Sequence, residues 1–338
     1  MTATAVTGRT ADQIGFQREA DYIPGPDLAR GPARPFGPET LHLSIGPTRI
    51  RLQGLSVPQR QTLEARYGVF VTRGASSGEP DVRVQVSESD RERFLTTASW
   101  GEQYRILTRW HGTLLTATSY EWSGWLDRDG WDAGLALARI TTTDGAAFDR
   151  SVENFLRLVM AHSAVPRGGF LFHSAGIVRD GRAYLFFGPS GSGKTTVTRF
   201  SEQTDAEILS DDLALLMNGE TGAPSACSVP FRGVFAPEYT MTRLYPIAGF
   251  FRLIQDPGDR LERLQGAAAV GEVVGSVPFV TDRTEMAGDL LDVVGAAVAR
   301  VPVFRLYFTK SRRFWDTLSE AGLAPPVDSF STDRGMKA

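Results

Sequence analysis

The alternation of apolar and polar residues predicts mostly β-strands between residues 39 and 143. The segments "LHLSIGPTRIRLQG" and "DVRVQVS" alternate in this way, and "YRILTRWHGTLLTATSY" is rich in β-branched and aromatic residues. A period of two places one set of side chains on each face of a sheet. We therefore predict a β-rich N-terminal domain over residues 39–143.

Five of the six tryptophans fall in this stretch: Trp100, Trp110, Trp122, Trp125 and Trp131. They are compatible with an aromatic platform for a peptide or sugar, or with the core of a small β-domain. We favour the core, because aromatic side chains supply much of the buried area of a domain.

The apolar spacing becomes helical after Asp144, which is a candidate N-cap. Phe148, Val152, Phe155 and Val159 recur at the interval that places them on one helix face. The segment "PRGG" at residues 166–169 is expected to end this helix, since proline and glycine both interrupt helical structure.

Strand-like runs follow the helix. "FLFHSAGIV" and "RAYLFF" flank Asp180-Gly181, a dipeptide typical of a tight β-hairpin. After a glycine-rich loop come a short helix, a strand "EILSDDLALL", and an α/β mixture that ends in a strand "VPVFRLYF" and a helix around Phe314-Trp315. We predict an α/β domain over residues 144–325, which follows the β-rich domain. Residues 1–38 are expected to form a flexible arm and residues 326–338 a flexible tail.

Composition narrows the classes of function. The 338 residues are 42% apolar and 22% charged, with a net charge of −3. Nucleic acid and membranes are not expected partners, because no positive field attracts them. Cys227 is the single cysteine, the four histidines are scattered, and the N-terminal residues contain no apolar run. A cytoplasmic enzyme or binding protein is expected.

The most specific motif is "GPSGSGKTT", residues 188–196. Its spacing from Gly188 to Gly193, Lys194 and Thr195 fits the Walker A loop, whose backbone N–H groups surround phosphate oxygens at a helix N-terminus. We predict that it binds a nucleoside triphosphate through Gly188, Pro189, Ser190, Gly191, Ser192, Gly193, Lys194, Thr195 and Thr196. The alternative is a glycine-rich turn with an exposed lysine.

Two acids and one histidine are further candidates. Asp211 and Asp212 interrupt an apolar run, where carboxylates are costly unless they are paired or bound to a cation. One could serve Mg²⁺ and the other a proton transfer, or both could mark a solvated strand end. His173 lies in the strand before the hairpin, where it is either a structural residue or a neighbour of the loop.

The string "FHSAGIVRDGRAYLFFGPSGSGKTTVTRF…AEILSDDLALL" resembles the catalytic domain of HPr kinase/phosphorylase, whose relatives include the ATP-dependent phosphoenolpyruvate carboxykinases. The resemblance covers about residues 170–216. It implies a P-loop kinase domain of that type, with ATP and Mg²⁺ as cofactors and a homo-oligomer as an open option. The family's Glu-Ile-Arg-Gly-Leu-Gly signature is absent, so the acceptor is not assigned to HPr.

The resemblance also implies individual roles. Lys194 would bind the β and γ phosphates, while Thr195 and Asp211 would hold Mg²⁺. Asp212 would be the general base, and His173 would lie near the transferred group or orient Asp212. Three arginines could stabilise the charge of the transferred group, and their spacing in the sequence does not select one of them: Arg232, Arg243 and Arg252.

The leading hypothesis is an ATP-dependent kinase that phosphorylates a Ser or Thr hydroxyl on a peptide or protein. A small-molecule kinase on the same scaffold is the first alternative, because a scaffold does not determine the substrate. The second is a nucleotide-binding regulatory module with little transferase activity.

Overall fold

A computed structural model describes residues 25–31, 33–72, 79–89, 106–119, 121–138, 145–231, 242–280 and 284–325. The chain is mixed α/β with two sheets. It divides into two compact units, residues 1–163 and 164–338. The predicted tail at 326–338 and Asp144, Trp100 and Arg232 lie outside the described residues.

The first unit has a seven-stranded sheet. Its order is β1-β2-β3-β7-β6-β5-β4, with parallel pairing of β2 with β3 and of β3 with β7. The strands are β1 (Glu39–Ile45), β2 (Thr48–Leu55), β3 (Val82–Ser89), β4 (Leu107–His111), β5 (Leu114–Thr118), β6 (Trp122–Asp127) and β7 (Asp132–Ala138). The helices are α1 (Pro26–Arg30), α2 (Val57–Tyr67) and α3 (Gly145–Ala164).

Helix α2 interrupts the predicted run of strands. Ser56 accepts a hydrogen bond from the backbone N–H of Gln59, and the Gln59 side chain accepts one from the Ser56 N–H. This reciprocal capping satisfies two backbone donors that the first helical turn leaves without partners. The pattern Ser-x-x-Gln, with Pro58 in the first turn, was the signal in the sequence that would have predicted this helix.

Helix α3 confirms the helical spacing after residue 144. Phe148, Val152, Phe155 and Val159 are all buried. The helix packs closely on β6, where a Cβ added to Gly124 would lie 2.4 Å from the Phe155 ring. By its contacts α3 belongs to the first unit. The predicted α/β domain, which begins at residue 144, included this helix.

The tryptophans divide between the core and its margin. Trp122 is 1% exposed and its ring meets that of Phe155 edge to face. Trp110, Trp125 and Trp131 are half-buried. The core interpretation therefore holds fully for one of the four tryptophans described between residues 39 and 143.

Part of the predicted flexible arm is described, and it has local structure. Helix α1 falls within it, and Arg34 forms an isolated β-bridge with Glu88. Both features belong to residues 25–38, which lie closest to the first sheet strand along the chain.

The second unit has an eight-stranded sheet of order β10-β8-β11-β12-β13-β15-β14, in which β9 pairs with β8 and β13. The strands are β8 (Phe170–Arg179), β9 (Arg182–Phe187), β10 (Glu207–Ser210), β11 (Leu213–Asn218), β12 (Pro224–Ser228), β13 (Tyr245–Gln255), β14 (Arg260–Leu264) and β15 (Val303–Phe308). The helices are α4 (Lys194–Glu202), α5 (Gly266–Val274), α6 (Thr284–Val298) and α7 (Arg313–Glu320).

Strand β8 pairs with different neighbours along its length. Phe170 to His173 pair with β11, whereas Ser174 to Arg179 pair with β9. The predicted hairpin between β8 and β9 is confirmed, with Asp180 at φ 49° and Gly181 at φ 67°. Both central residues of this turn therefore have the positive φ that a type I′ turn requires.

The predicted Asp-Asp strand is two strands in the structure. β10 ends at Ser210, β11 begins at Leu213, and Asp211 and Asp212 form the bend between them. Because both strands pair with β8, this bend lies beside the point where β8 changes partner.

An aromatic core covers one face of the sheet. Tyr184 and Phe186 of β9 and Phe251 of β13 pack with Phe314 and Trp315 of α7. The indole N–H of Trp315 donates to Ser201 in α4 at 3.1 Å, so α4 and α7 both lie on this face. No helix in the described part of the chain is long and apolar enough to cross a membrane.

Candidate active site

The glycine-rich loop, residues 188–195, follows β9 and includes the first two residues of α4. Gly188, Gly191 and Gly193 have φ of 152°, 78° and 116°, values that residues with a Cβ rarely adopt. A Cβ on Gly193 would also lie 2.6 Å from the Phe308 ring. Glycine is thus required at Gly193 by both conformation and space, whereas the surroundings of Gly191 are open.

Strand β13 lies beside the glycine-rich loop and forms a hydrogen bond with it. The Gln255 side chain donates a hydrogen bond to the Gly191 carbonyl at 2.6 Å. Further back along the strand, Arg252 is in register with Phe187, the residue that precedes the loop. The parallel pairing of β9 with β13 therefore determines which side chains border the loop.

Two side chains of the loop have donors suited to an anion. The Ser192 hydroxyl is buried and has no hydrogen-bond partner among the described residues. Lys194 Nζ donates to the carbonyls of Gly188 at 2.7 Å and Pro189 at 3.4 Å. An ammonium group has three donors, so one remains for a phosphate oxygen.

His173 and Asp212 form a pair at the bend. His173 Nε2 lies 3.2 Å from Asp212 Oδ1, and the two side chains are 42% and 27% exposed. The backbone keeps the segments together, because the N–H of Ser174 donates to the Asp212 carbonyl at 3.0 Å. The pair is accessible to a ligand while its backbone is held within the sheet.

The pair and the loop belong to one electrostatic cluster. Burial lowers the pKa of Lys194, the positive charge of Arg252 lowers it further, and the negative charge of Asp212 opposes both effects. Lys194 is therefore within range of both charges. Four separate segments at the end of the sheet contribute the members of this cluster, which are His173, Lys194, Asp212 and Arg252.

The remaining predicted site residues adjoin this cluster along the chain. Asp211 is 5% exposed, much less than its neighbour Asp212. Thr195 and Thr196 lie half-buried in the first turn of α4, and Pro189 and Ser190 are exposed. The donors of this loop fit an anionic group, since a helix begins directly at Lys194 and the loop holds a buried hydroxyl without a partner.

Of the two described arginine candidates, only Arg252 contributes to this cluster. Arg243 lies over the ring of Tyr245, with 4.5 Å between its guanidinium carbon and the ring centroid. Arg252 Nε forms an ion pair with Glu272 of α5 at 3.0 Å. Sequence reasoning missed Glu272 and Gln255, because neither belongs to a local motif.

The family model described as SynChlorMet cassette protein ScmC matches residues 148–322, just over half of the chain. The chain belongs to the ScmC family. The match begins within α3 and extends beyond α7, so it contains the glycine-rich loop, the Asp211-Asp212 bend and β13 of this ScmC-family chain. Comparison with curated proteins found no match.

Proposed function

We propose that this ScmC-family chain is an ATP-dependent phosphotransferase of the HPr-kinase-like type, with a P-loop kinase domain, that phosphorylates a Ser or Thr hydroxyl on a peptide or protein. The observation that carries the proposal is the convergence of Lys194, Asp212 and His173. A site that only held nucleotide would need the loop and its lysine, and would have no need of a paired, accessible carboxylate beside them.

The loop supports the binding half of the proposal. Its glycines allow backbone N–H groups to face a phosphate, and the N-terminus of α4 adds the positive end of a helix dipole. Lys194 would neutralise β and γ oxygens. These features position the triphosphate and reduce the charge that an incoming oxygen must approach.

The Asp212–His173 pair supports the transfer half. Asp212 would accept the proton of the acceptor hydroxyl while the new bond forms between that oxygen and the γ phosphorus. The bond from the γ phosphorus to the β–γ bridging oxygen breaks, and ADP leaves with the electron pair. His173 would orient the carboxylate through Nε2, which is already within hydrogen-bond distance of Oδ1.

Magnesium fits the oxygen donors next to this cluster. The Thr195 hydroxyl and the Asp211 carboxylate are the residues that would hold it, and both are hard oxygen ligands. A bound Mg²⁺ would neutralise part of the phosphate charge. Among the described residues no three His, Cys, Asp or Glu side chains form a metal cluster.

The test is phosphate transfer from radiolabelled Mg-ATP to a peptide library in which Ser or Thr is the fixed central residue. We expect label on peptides with the wild type. Asp212→Asn should reduce transfer by about two orders of magnitude, as for the loss of a general base, with ATP affinity almost unchanged.

The same experiment separates the alternatives. Label on small alcohols but not on peptides would favour a small-molecule kinase. ATP hydrolysis that no acceptor stimulates would favour a regulatory module. Transfer at the wild-type rate by the Asp212→Asn variant would contradict the base assignment.

A further inference from the structure

We infer that Arg252 contacts the phosphoryl group being transferred and that Glu272 is a positioning residue that aims it. The inference rests on the proposed function and deepens it, because it selects one arginine and names the side chains that hold it. It begins from the position of Arg252 in β13, in register with Phe187 immediately before the loop.

The guanidinium of Arg252 is held at one nitrogen and open at the others. Its Nε lies 3.0 Å from Glu272 Oε2. The two terminal nitrogens have no hydrogen-bond partner in the part of the chain that the structure describes, and the side chain is 27% exposed. Four N–H donors of a planar fork are therefore available, which is the geometry that binds two phosphate oxygens at once.

The register of Arg252 with Phe187 places its strand beside the loop that contains Lys194. Burial is the main cause of the lowered pKa of Lys194, and the positive charge of Arg252 makes a smaller contribution in the same direction. The two cations repel each other, and an anion bound between them removes the repulsion. The pair is thus suited to a ligand with several negative charges, such as the terminal phosphates of ATP.

Glu272 is itself fixed from its other side. Its Oε1 accepts from Arg305 Nη2 at 3.0 Å and lies 3.3 Å from Arg305 Nε. Arg305 also donates from Nη1 to Glu262 at 3.3 Å. Each oxygen of Glu272 therefore has a different arginine, which restricts its rotamer and lowers the entropy that Arg252 loses when it binds phosphate.

Affinity for two nucleotides provides the test, with Mg-ATP and Mg-ADP as the probes in calorimetric titrations of the full chain. A residue that contacts the terminal phosphate affects ATP binding more than ADP binding. We expect Arg252→Ala to weaken ATP about tenfold or more, with ADP changed less than about threefold, as for the loss of a charge-assisted hydrogen bond. Arg252→Lys keeps the charge but not the planar fork of donors. Its ATP affinity should lie between those of the wild type and Arg252→Ala.

Glu272→Gln should lower the ATP-to-ADP affinity ratio about threefold, because Arg252 would be less well held. The double variant Arg252→Ala, Glu272→Gln should bind ATP no worse than Arg252→Ala, since Glu272 acts through Arg252. Arg263→Ala is the matched control, because Arg263 is an exposed arginine on β14 with no partner among the described residues. Its ratio should equal that of the wild type.

An unchanged ratio in Arg252→Ala, or a loss that appears in Arg243→Ala instead, would overturn the choice of arginine. Additive losses in the double variant would overturn the positioning role. Failure of the wild type to bind Mg-ATP would contradict the proposed function itself, and with it this inference. A third outcome would contradict the inference only. In it, the wild type binds ATP, Lys194→Ala does not, and Arg252→Ala has the same ATP-to-ADP affinity ratio as the wild type.

Discussion

Two clusters of charge, one in each unit, use the same residue types with opposite results. In the first unit, Glu153 of α3 lies between Arg66 and Arg157, and its side chain is 7% exposed. In the second, the charges of Asp212 and Arg252 both act on Lys194, and the Asp212 side chain is 27% exposed. The first cluster is closed around a buried carboxylate, while the second is partly open to solvent.

The closed cluster joins helices. Arg157 donates to Glu153 at 2.7 Å, Arg66 bonds the other oxygen of Glu153, and Asp149 lies 3.8 Å from Arg66. Burial raises the pKa of Tyr67 beside it, and the charge of Glu153 adds to the effect. Each oxygen of Glu153 accepts from a different arginine, so the cluster links α2 to α3 around a buried carboxylate.

The open cluster lacks that balance. Lys194 donates to two carbonyls of its own loop, and Arg252 has a carboxylate partner for one nitrogen. The comparison teaches that the exposure of the charged groups, rather than their number, distinguishes a candidate binding site from a structural ion-pair cluster. Four predictions test this difference.

Lys194→Ala should have the largest effect. Removal of the ammonium should weaken Mg-ATP about a hundredfold, because it deletes the one lysine of the glycine-rich loop. The measurement is calorimetric titration with Mg-ATP. Similar ATP affinity in variant and wild type would place the nucleotide elsewhere and remove the open cluster as a site.

Gly193→Ala should destabilise the loop itself. An alanine at φ 116° is strained, and its Cβ would meet the Phe308 ring at 2.6 Å. We expect a loss of more than about 2 kcal/mol in the free energy of unfolding. Gly191→Ala is the control, since φ there is 78° with nothing within 4 Å, and should cost about 1 kcal/mol. Equal costs, measured by denaturant titration, would argue against the contact with Phe308.

Glu153→Gln should disrupt the closed cluster. Loss of the charge leaves two arginines without their shared carboxylate, at a cost of about 2 kcal/mol in the free energy of unfolding. Asp132→Asn breaks the more exposed pair with Arg83 and should cost much less, because solvent screens an exposed ion pair. Once folded, both variants should bind Mg-ATP with wild-type affinity; a selective loss in Glu153→Gln would mean that the closed cluster also serves the ligand.

The smallest effect is a pH dependence. Burial and Arg252 lower the pKa of Lys194 against the attraction of Asp212, and the ammonium is charged only below its pKa. ATP affinity of the wild type should therefore begin to fall at a lower pH than the ordinary lysine pKa of about 10.4 would give. Lys194→Arg keeps its charge over this range and should show a flat profile. If ATP affinity falls with pH equally in the wild type and in Lys194→Arg, a group other than Lys194 controls the loss of affinity at alkaline pH.

Local features of the site were predictable from the sequence. The hairpin at Asp180-Gly181, the strand before the glycine-rich loop and the helix after it all appear where the motif predicted them. The hairpin also brings β8 alongside β9, which puts His173 next to the loop. Helix α2 was readable as well, through Ser56 and Gln59, but the surrounding strand-like pattern concealed it.

The arrangement of distant segments was not predictable. Three arginines looked equivalent, and only the parallel pairing of β13 with β9 brings Arg252 to the loop, whereas Arg243 stacks on Tyr245. The split of the Asp-Asp run into two strands likewise depends on its pairing with β8. These outcomes depend on contacts between residues tens of positions apart, which no short window contains.

The sequence by itself therefore determined the turn, the glycine-rich loop and the amphipathic helix α3, because backbone conformation and hydrophobic period are set by neighbouring residues. The tertiary structure alone decided which charges meet. Strand order and register are chosen by the free energy of burying whole faces, and that choice brought the charges of Arg252 and Asp212 within range of one lysine.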